Sequence, residues 1–334
     1  MWLASGFGSE GPFDLSPPTR PFPDWRNVAS AMWNSPTLLL CLASFFWALN
    51  PIVGRAVREL ISPLSLAFWR WVIALLFVLP FAWRHIGADR QVLRESRQLL
   101  GLLGFFGVGL FAYVVYWSLQ LTTATNSLLL QSTMPIMTLA MPTVLFRDRL
   151  RPLLAVSAGL SFVGIIWIVT KGKLIDLQWD AVNSGDLLAL IGVFLYSVYA
   201  TFLRKVPAMH HLTLLAALFA VGIGTLAIPY LSGLVGNGPS LPTLAVVGAV
   251  LYVGIFPSLI AYGFFNRSVA LIGSVRAGVY MNLPTVFGVV LAIPLLGERL
   301  RSYHLVGAAM VIAAILISRK QPQSPPKHNG SATT

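Results

Sequence analysis

Cysteine and charge are what this chain of 334 residues has least of. Its single cysteine, Cys41, stands inside an apolar run, which excludes a disulfide framework and a thiolate metal site. Charged residues amount to 10%, whereas a soluble domain carries roughly a quarter, so water is not the main solvent here. Acid is the scarcer sign, with 11 Asp and Glu against 23 Lys and Arg. The basic excess does not point to nucleic acid, because these residues stand singly between apolar runs and form no continuous stripe. HExxH, GxSxG and P-loop patterns are absent, and the five histidines (His85, His210, His211, His304, His328) fall at the ends of apolar runs or in tails. An enzyme needs a nucleophile with a base, or a metal set. Neither is visible, so no catalytic residue, metal or cofactor is expected.

What fills the chain instead is apolar sequence, 56% of it, with a mean hydropathy of +0.76. A membrane span needs about 20 such residues. Ten stretches qualify: 37–55, 63–83, 99–119, 125–146, 152–170, 185–204, 212–235, 242–265, 273–296 and 303–318. The first opens at Ser35-Pro36, a cap followed by a proline, as at a helix start. The N-terminus to about Trp33 is rich in Gly, Ser and Pro and lacks the pattern of a secretory signal, so it reads as a tail. The polar stretch from Arg319 reads the same way. With both termini cytoplasmic, the outer loops hold only Arg55, Arg58, Lys171, Lys173, Arg299 and Arg301, while the inner segments hold more than twice as many basic residues. That is the bias expected of a cytoplasmic face.

A shift of 149 positions brings the two halves into register. Leu38-Leu39 falls on Leu187-Leu188, Phe45 on Phe194, Trp47 on Tyr196, Ala112-Tyr113 on Ala261-Tyr262 and Pro135 on Pro284. Five spans per copy is an odd number, so the second copy enters the membrane from the opposite side. The expected fold is an all-α polytopic membrane protein of ten transmembrane helices in two inverted five-helix repeats. Its parts are a tail (1–35), a first repeat (36–170), a linker (171–184), a second repeat (185–318) and a tail (319–334). Inverted repeats characterise secondary transporters, whose substrate site lies near the midplane between the copies. The alternatives to a transporter are an intramembrane enzyme and a channel- or receptor-type membrane protein.

Several stretches resemble the drug/metabolite transporter superfamily, and within it the EamA-type members with ten helices. They are Phe68-Trp69-Arg70-Trp71, the run from Tyr116 to Pro135, Gly185-Asp186-Leu187-Leu188-Ala189-Leu190, and Ala261 through Leu296-Gly297-Glu298-Arg299-Leu300. The likeness departs at Phe146-Arg147-Asp148-Arg149-Leu150, where the family has Gly-Glu-Arg, and the second copy has no arginine matching Arg70. The resemblance implies efflux or exchange of small molecules, nearest to bacterial exporters of aromatic amino acids and cationic drugs. It also implies a monomer in the bacterial inner membrane, whose partners are the lipid bilayer and a small-molecule substrate.

Arg70 is the first candidate. A charge at mid-span costs about 2.5–3.5 kcal/mol on insertion scales, and Arg70 lies about 10 Å down its helix from Pro63. It is either a substrate or gating contact, or a packing arginine satisfied by carbonyls and by Trp69 or Trp71. Trp47 and Asn50, Tyr113 and Tyr116, Gln131, Tyr196 and Tyr199, Tyr262 and Tyr280 complete the candidate set. Spacings of three or four put Trp47 with Asn50, Tyr113 with Tyr116, Ser127 with Gln131, Tyr196 with Tyr199, Tyr262 with Phe265 and Arg276 with Tyr280 on one helix face each, and aromatic faces with polar tips suit a cavity for amphipathic solutes. Pro135, Pro257 and Pro284, inside the expected helices, are candidate hinges. Asp148 and Glu298 read as members of ion pairs at helix-end turns. No carboxylate is expected inside a span, so no obligatory proton is expected either.

Overall fold

The computed structural model describes residues 32–146, 152–173, 183–237, 243–272, 277 and 279–319. Both tails, Arg147 to Arg151 with Asp148, most of the linker, and Arg276 lie outside the described residues. Among the described residues there is no strand. The helices are α1 (Pro36–Ala56), α2 (Pro63–Ile86), the short α3 (Arg90–Glu95), α4 (Arg97–Leu121), α5 (Ala124–Gln131) and α6 (Met134–Phe146). Then follow α7 (Pro152–Val169), α8 (Ser184–Leu203), α9 (His211–Asn237), α10 (Leu244–Ile272), α11 (Leu283–Leu296) and α12 (Ser302–Arg319).

The starts follow from local chemistry. Ser62 Oγ accepts from the Ser65 N–H at 3.1 Å, and Pro63 sits in the first turn, where its missing N–H costs nothing. Thr123 and Thr243 cap α5 and α10 through the same geometry. At the end of α11, Gly297 takes the left-handed conformation (φ 65°) that a side chain would resist.

Among the described residues six helices are long and apolar enough to cross a membrane: α1, α2, α4, α8, α9 over His211–Gly233, and α10. Ala155–Val169, Tyr280–Leu296 and Ser302–Ala314 are shorter apolar helices. The stretch 125–146, expected as one span, is broken between Gln131 and Met134. There Ser132 Oγ donates to the Leu129 carbonyl at 2.6 Å and Thr133 Oγ1 to that of Leu130 at 2.7 Å. Pro135 is therefore the second residue of a new helix rather than a mid-helix proline. Pro284 stands likewise as the second residue of α11, after a 3₁₀ turn over Val279–Asn282. Only Pro257 of the three lies inside a long helix, and there the winding widens to a π segment, Phe256–Ile260. A second π segment, Gly104–Leu110, interrupts α4.

The packing of helices follows the 149-residue shift. α1 lies against α10 and α11, and its counterpart α8 lies against α4 and α6. α2 packs on its own counterpart α9, and α7 on α12. Close approach depends on missing side chains: a Cβ at Gly104 would meet Val221, one at Gly107 the Tyr199 ring, and one at Gly109 Thr225. A Cβ at Gly101, on the same helix, would meet nothing within 4 Å. Large apolar residues such as Phe81, Trp83, Ile228 and Leu305 remain exposed, the surface that lipid covers.

Candidate functional site

Arg70 is 7% exposed, near the middle of α2. Its Nε donates to Ser258 Oγ at 2.9 Å, and its Nη1 donates to Tyr116 OH at 3.0 Å and Asn50 Oδ1 at 3.3 Å. Tyr116 OH donates in turn to Asn50 Oδ1 at 2.8 Å. The guanidinium carbon lies 4.6 Å from the centre of the Trp71 ring, close enough for cation–π attraction. Four helices thus meet on one charge: α2, α1 (Asn50), α4 (Tyr116) and α10 (Ser258).

The acceptor from α10 is explained by the proline beside it. Pro257 has no N–H to give to the carbonyl of Val253, four residues back. Ser258 Oγ takes that carbonyl at 2.8 Å, and the freed Pro257 carbonyl accepts from Trp47 Nε1 at 3.0 Å. The other π segment is used in the same way, its Val108 carbonyl accepting from Trp71 Nε1 at 3.1 Å. π segments recur at functional sites because they re-aim backbone and side chains. Ser258 has no counterpart in the sequence-based candidate set, and the only sequence signal for it is the intramembrane Pro257 before it.

The aromatic candidates divide. Trp47 packs edge-on against Tyr262, ring centres 5.4 Å apart, and lies 5.6 Å from Phe265. Tyr196 and Tyr199 are 5.7 Å apart, and the Tyr199 ring lies where a Cβ on Gly107 of α4 would stand. Trp47 and Tyr262 adjoin the Arg70 cluster through the Trp47 bond to the Pro257 carbonyl beside Ser258. Tyr113 does not join it and stacks instead on Trp117, which is exposed. Gln131 donates to Ser127 Oγ one turn back at 2.9 Å, and Tyr280 contributes its carbonyl to Ser44 Oγ at 3.3 Å.

A second polar cluster closes the end of the bundle where α4 finishes and α5, α8 and α12 start. Asp186, in the first turn of α8 and so at the span end expected for it, has 0% exposure. It accepts from Thr122 Oγ1, and both of its oxygens accept from Asn126 Nδ2 at 3.1 Å. Asn126 Oδ1 meets His304 Nε2 at 2.8 Å, while His304 Nδ1 accepts from the Arg301 N–H at 3.0 Å. That backbone bond leaves the Nε2 position to carry the proton. Among the described residues Glu298 takes no ion-pair partner. Its two oxygens accept from the free N–H groups of Ala124 and Thr125, at 2.7 and 2.9 Å, so its role is to cap α5. Among the described residues one ion pair occurs, Arg58 with Glu59, and no group of three metal-ligating side chains converges.

The EamA-like transporter family matches residues 34–170 and again 183–319. An "Uncharacterized transporter" of Archaeoglobus fulgidus is 29% identical over 294 residues, covering 87% of this chain and 100% of the relative. A "Probable amino-acid metabolite efflux pump" of Salmonella typhimurium is 24% identical over 293 residues, 84% of this chain and 93% of the relative. A solved crystal structure at 17% identity covers 85% of this chain and 96% of its own, with a TM-score of 0.54, and shares the fold. With both matches spanning most of its length, the chain belongs to the EamA-like transporter family and is a multi-pass membrane protein.

Proposed function

We propose that this protein moves small metabolites, amino acids or other amphipathic compounds, across the inner membrane by alternating access. The transport site is the region between the two π segments. The observation that carries this reading is a permanently charged side chain, Arg70, buried between helices from both halves of the chain and bordered by aromatic rings. We read the bundle as ten spans in two inverted copies, 36–170 and 185–318. The exchange of helix partners under the 149-residue shift supports this, since α1 relates to α10 and α11 as α8 does to α4 and α6. Substrate meets Trp47, Asn50, Arg70, Tyr116, Tyr196, Tyr199 and Tyr262, with Tyr113, Gln131 and Tyr280 farther out. Pro135, Pro257 and Pro284 mark the breaks about which segments swing. Export of amino-acid metabolites is the activity named for the Salmonella typhimurium relative, and efflux or exchange is the direction we assign here. None of these site residues is an acid or a histidine, so the site itself does not require proton coupling.

The test is counterflow in proteoliposomes holding the purified full chain. Loading them with unlabelled amino acids or amphipathic metabolites should accelerate uptake of the labelled form above empty liposomes. Rates equal to empty liposomes across the panel would remove the transport reading.

A further inference from the structure

The Arg70 guanidinium is not fully used. Nε and Nη1 hold Ser258, Tyr116 and Asn50. Among the described residues Nη2 has no hydrogen-bond partner, and it is not among the buried polar atoms left without one. Two N–H donors of this cation therefore have no acceptor among the described residues, in a group otherwise locked from three sides. No carboxylate among the described residues answers the charge, because every acceptor on it is neutral and the buried Asp186 is bonded to Thr122 and Asn126 instead. A buried cation held only by neutral dipoles keeps its whole charge for whatever enters.

The charge and most of its polar frame come from one side of the region. Shifting by 149 positions replaces Arg70 by Phe219, Asn50 by Tyr199, Tyr116 by Phe265 and Ser258 (shifted back) by Gly109. The first half of the bundle thus brings the charge with Asn50 and Tyr116, while the second brings Ser258 and rings. A zwitterion would carry an ammonium into a region whose one formal charge is already positive, with only ring faces to receive it. Those faces hold a cation more weakly than a paired carboxylate would. A lone cation would meet the same repulsion with nothing in return.

From the unpaired Nη2 edge, the absence of an acidic partner and the one-sided placement of the charge, we infer that the substrate is an organic monoanion. Its carboxylate docks on the Nη2 edge of Arg70, and its aromatic or branched apolar body lies against Trp47, Tyr262 and Tyr199. The inference rests on the transport reading and narrows it: deaminated or N-acylated relatives of apolar amino acids are favoured over free amino acids and over cationic drugs.

The test uses one aromatic body in three charge states: phenylpyruvate, phenylalanine and phenyltrimethylammonium. Each is titrated into the purified full chain by calorimetry and then used in counterflow. Phenylpyruvate should bind at least about tenfold more tightly than the other two, and Arg70→Gln should abolish the difference. Because Arg70→Gln removes a structural group, Arg70→Lys is run beside it. Keeping the charge without the planar fork, it should retain the preference for the anion at weaker affinity. Tighter binding or faster counterflow of phenylalanine or phenyltrimethylammonium overturns the monoanion assignment while leaving the transporter standing. No binding and no counterflow of any of the three overturns the assignment too, and counterflow of an unrelated solute then tells whether the transport reading survives.

Discussion

Arg70 Nε and Ser258 Oγ stand 2.9 Å apart although 188 positions separate them in the chain. This bond joins α2 of the first half to the π segment of the second, and with the Trp47 bond to Pro257 it ties the charge to the widened turn of α10. The site is thus built across the two halves rather than within either.

Ser258→Ala leaves a buried guanidinium N–H and the Val253 carbonyl both short of a partner. An unsatisfied buried group costs about 1–3 kcal/mol, so thermal unfolding in detergent should shift down and counterflow should slow. Ser258→Thr, which restores the hydroxyl, should recover most of both. An alanine variant as stable and active as the wild type would show that Arg70 is held by Asn50, Tyr116 and Trp71 alone.

Gly107 and Gly101 lie on one helix with opposite environments. Gly107→Ala places a methyl group into the Tyr199 ring, and overpacking of this kind costs about 1–3 kcal/mol. Gly101→Ala meets nothing within 4 Å and should be neutral or stabilising by about 0.5–1 kcal/mol. Melting temperatures of the two variants should therefore move apart, and equal values would contradict the close α4–α8 approach.

The start of α5 is held by Glu298 on two backbone N–H groups and by Asp186 on Thr122 and Asn126. Asp186→Asn exchanges an acceptor for a donor facing the Asn126 amide. Amide hydrogen exchange over Ala124–Gln131 should rise at fixed pH, as local opening becomes easier. Unchanged protection there would mean that Glu298 suffices to close this end of the bundle.

The assigned orientation is checked with thiol chemistry on a Cys41→Ser background. A cysteine replacing Asn237 should react with an impermeant reagent added to intact cells. One replacing Ala88, in the turn before α3, should react only after lysis. The reverse pattern would overturn the placement of both termini in the cytoplasm.

Composition alone determined the solvent of this protein, because so few charges cannot cover a water-exposed surface of this size. It also determined the internal register, since Leu, aromatic and proline positions recur at a constant offset whatever their surroundings. Arg70 was legible for the same reason: a lone charge in an apolar run is costly and needs no neighbours to be noticed. What surrounds it was not legible. The partners come from α1, α4 and α10, distant in the chain, and a serine in an apolar run carries no sign of the arginine it will meet.

Tertiary structure also decided the fate of residues that look equivalent in the sequence. Tyr113 and Tyr116 stand one turn apart, yet one stacks on exposed Trp117 and the other is buried against Arg70, because their helix presents different sides to lipid and to its neighbours. Pro135 and Pro284 fall at helix starts and Pro257 inside a π turn, although all three read alike as prolines within apolar runs. Asp186 reads as a helix-end acid and becomes wholly buried, because α5 and α12 close over the start of α8 and supply Asn126 and His304. Hydropathy reports how far a segment sits from water; only the packing of helices from both halves decides which of its faces meets lipid, a neighbour or the site.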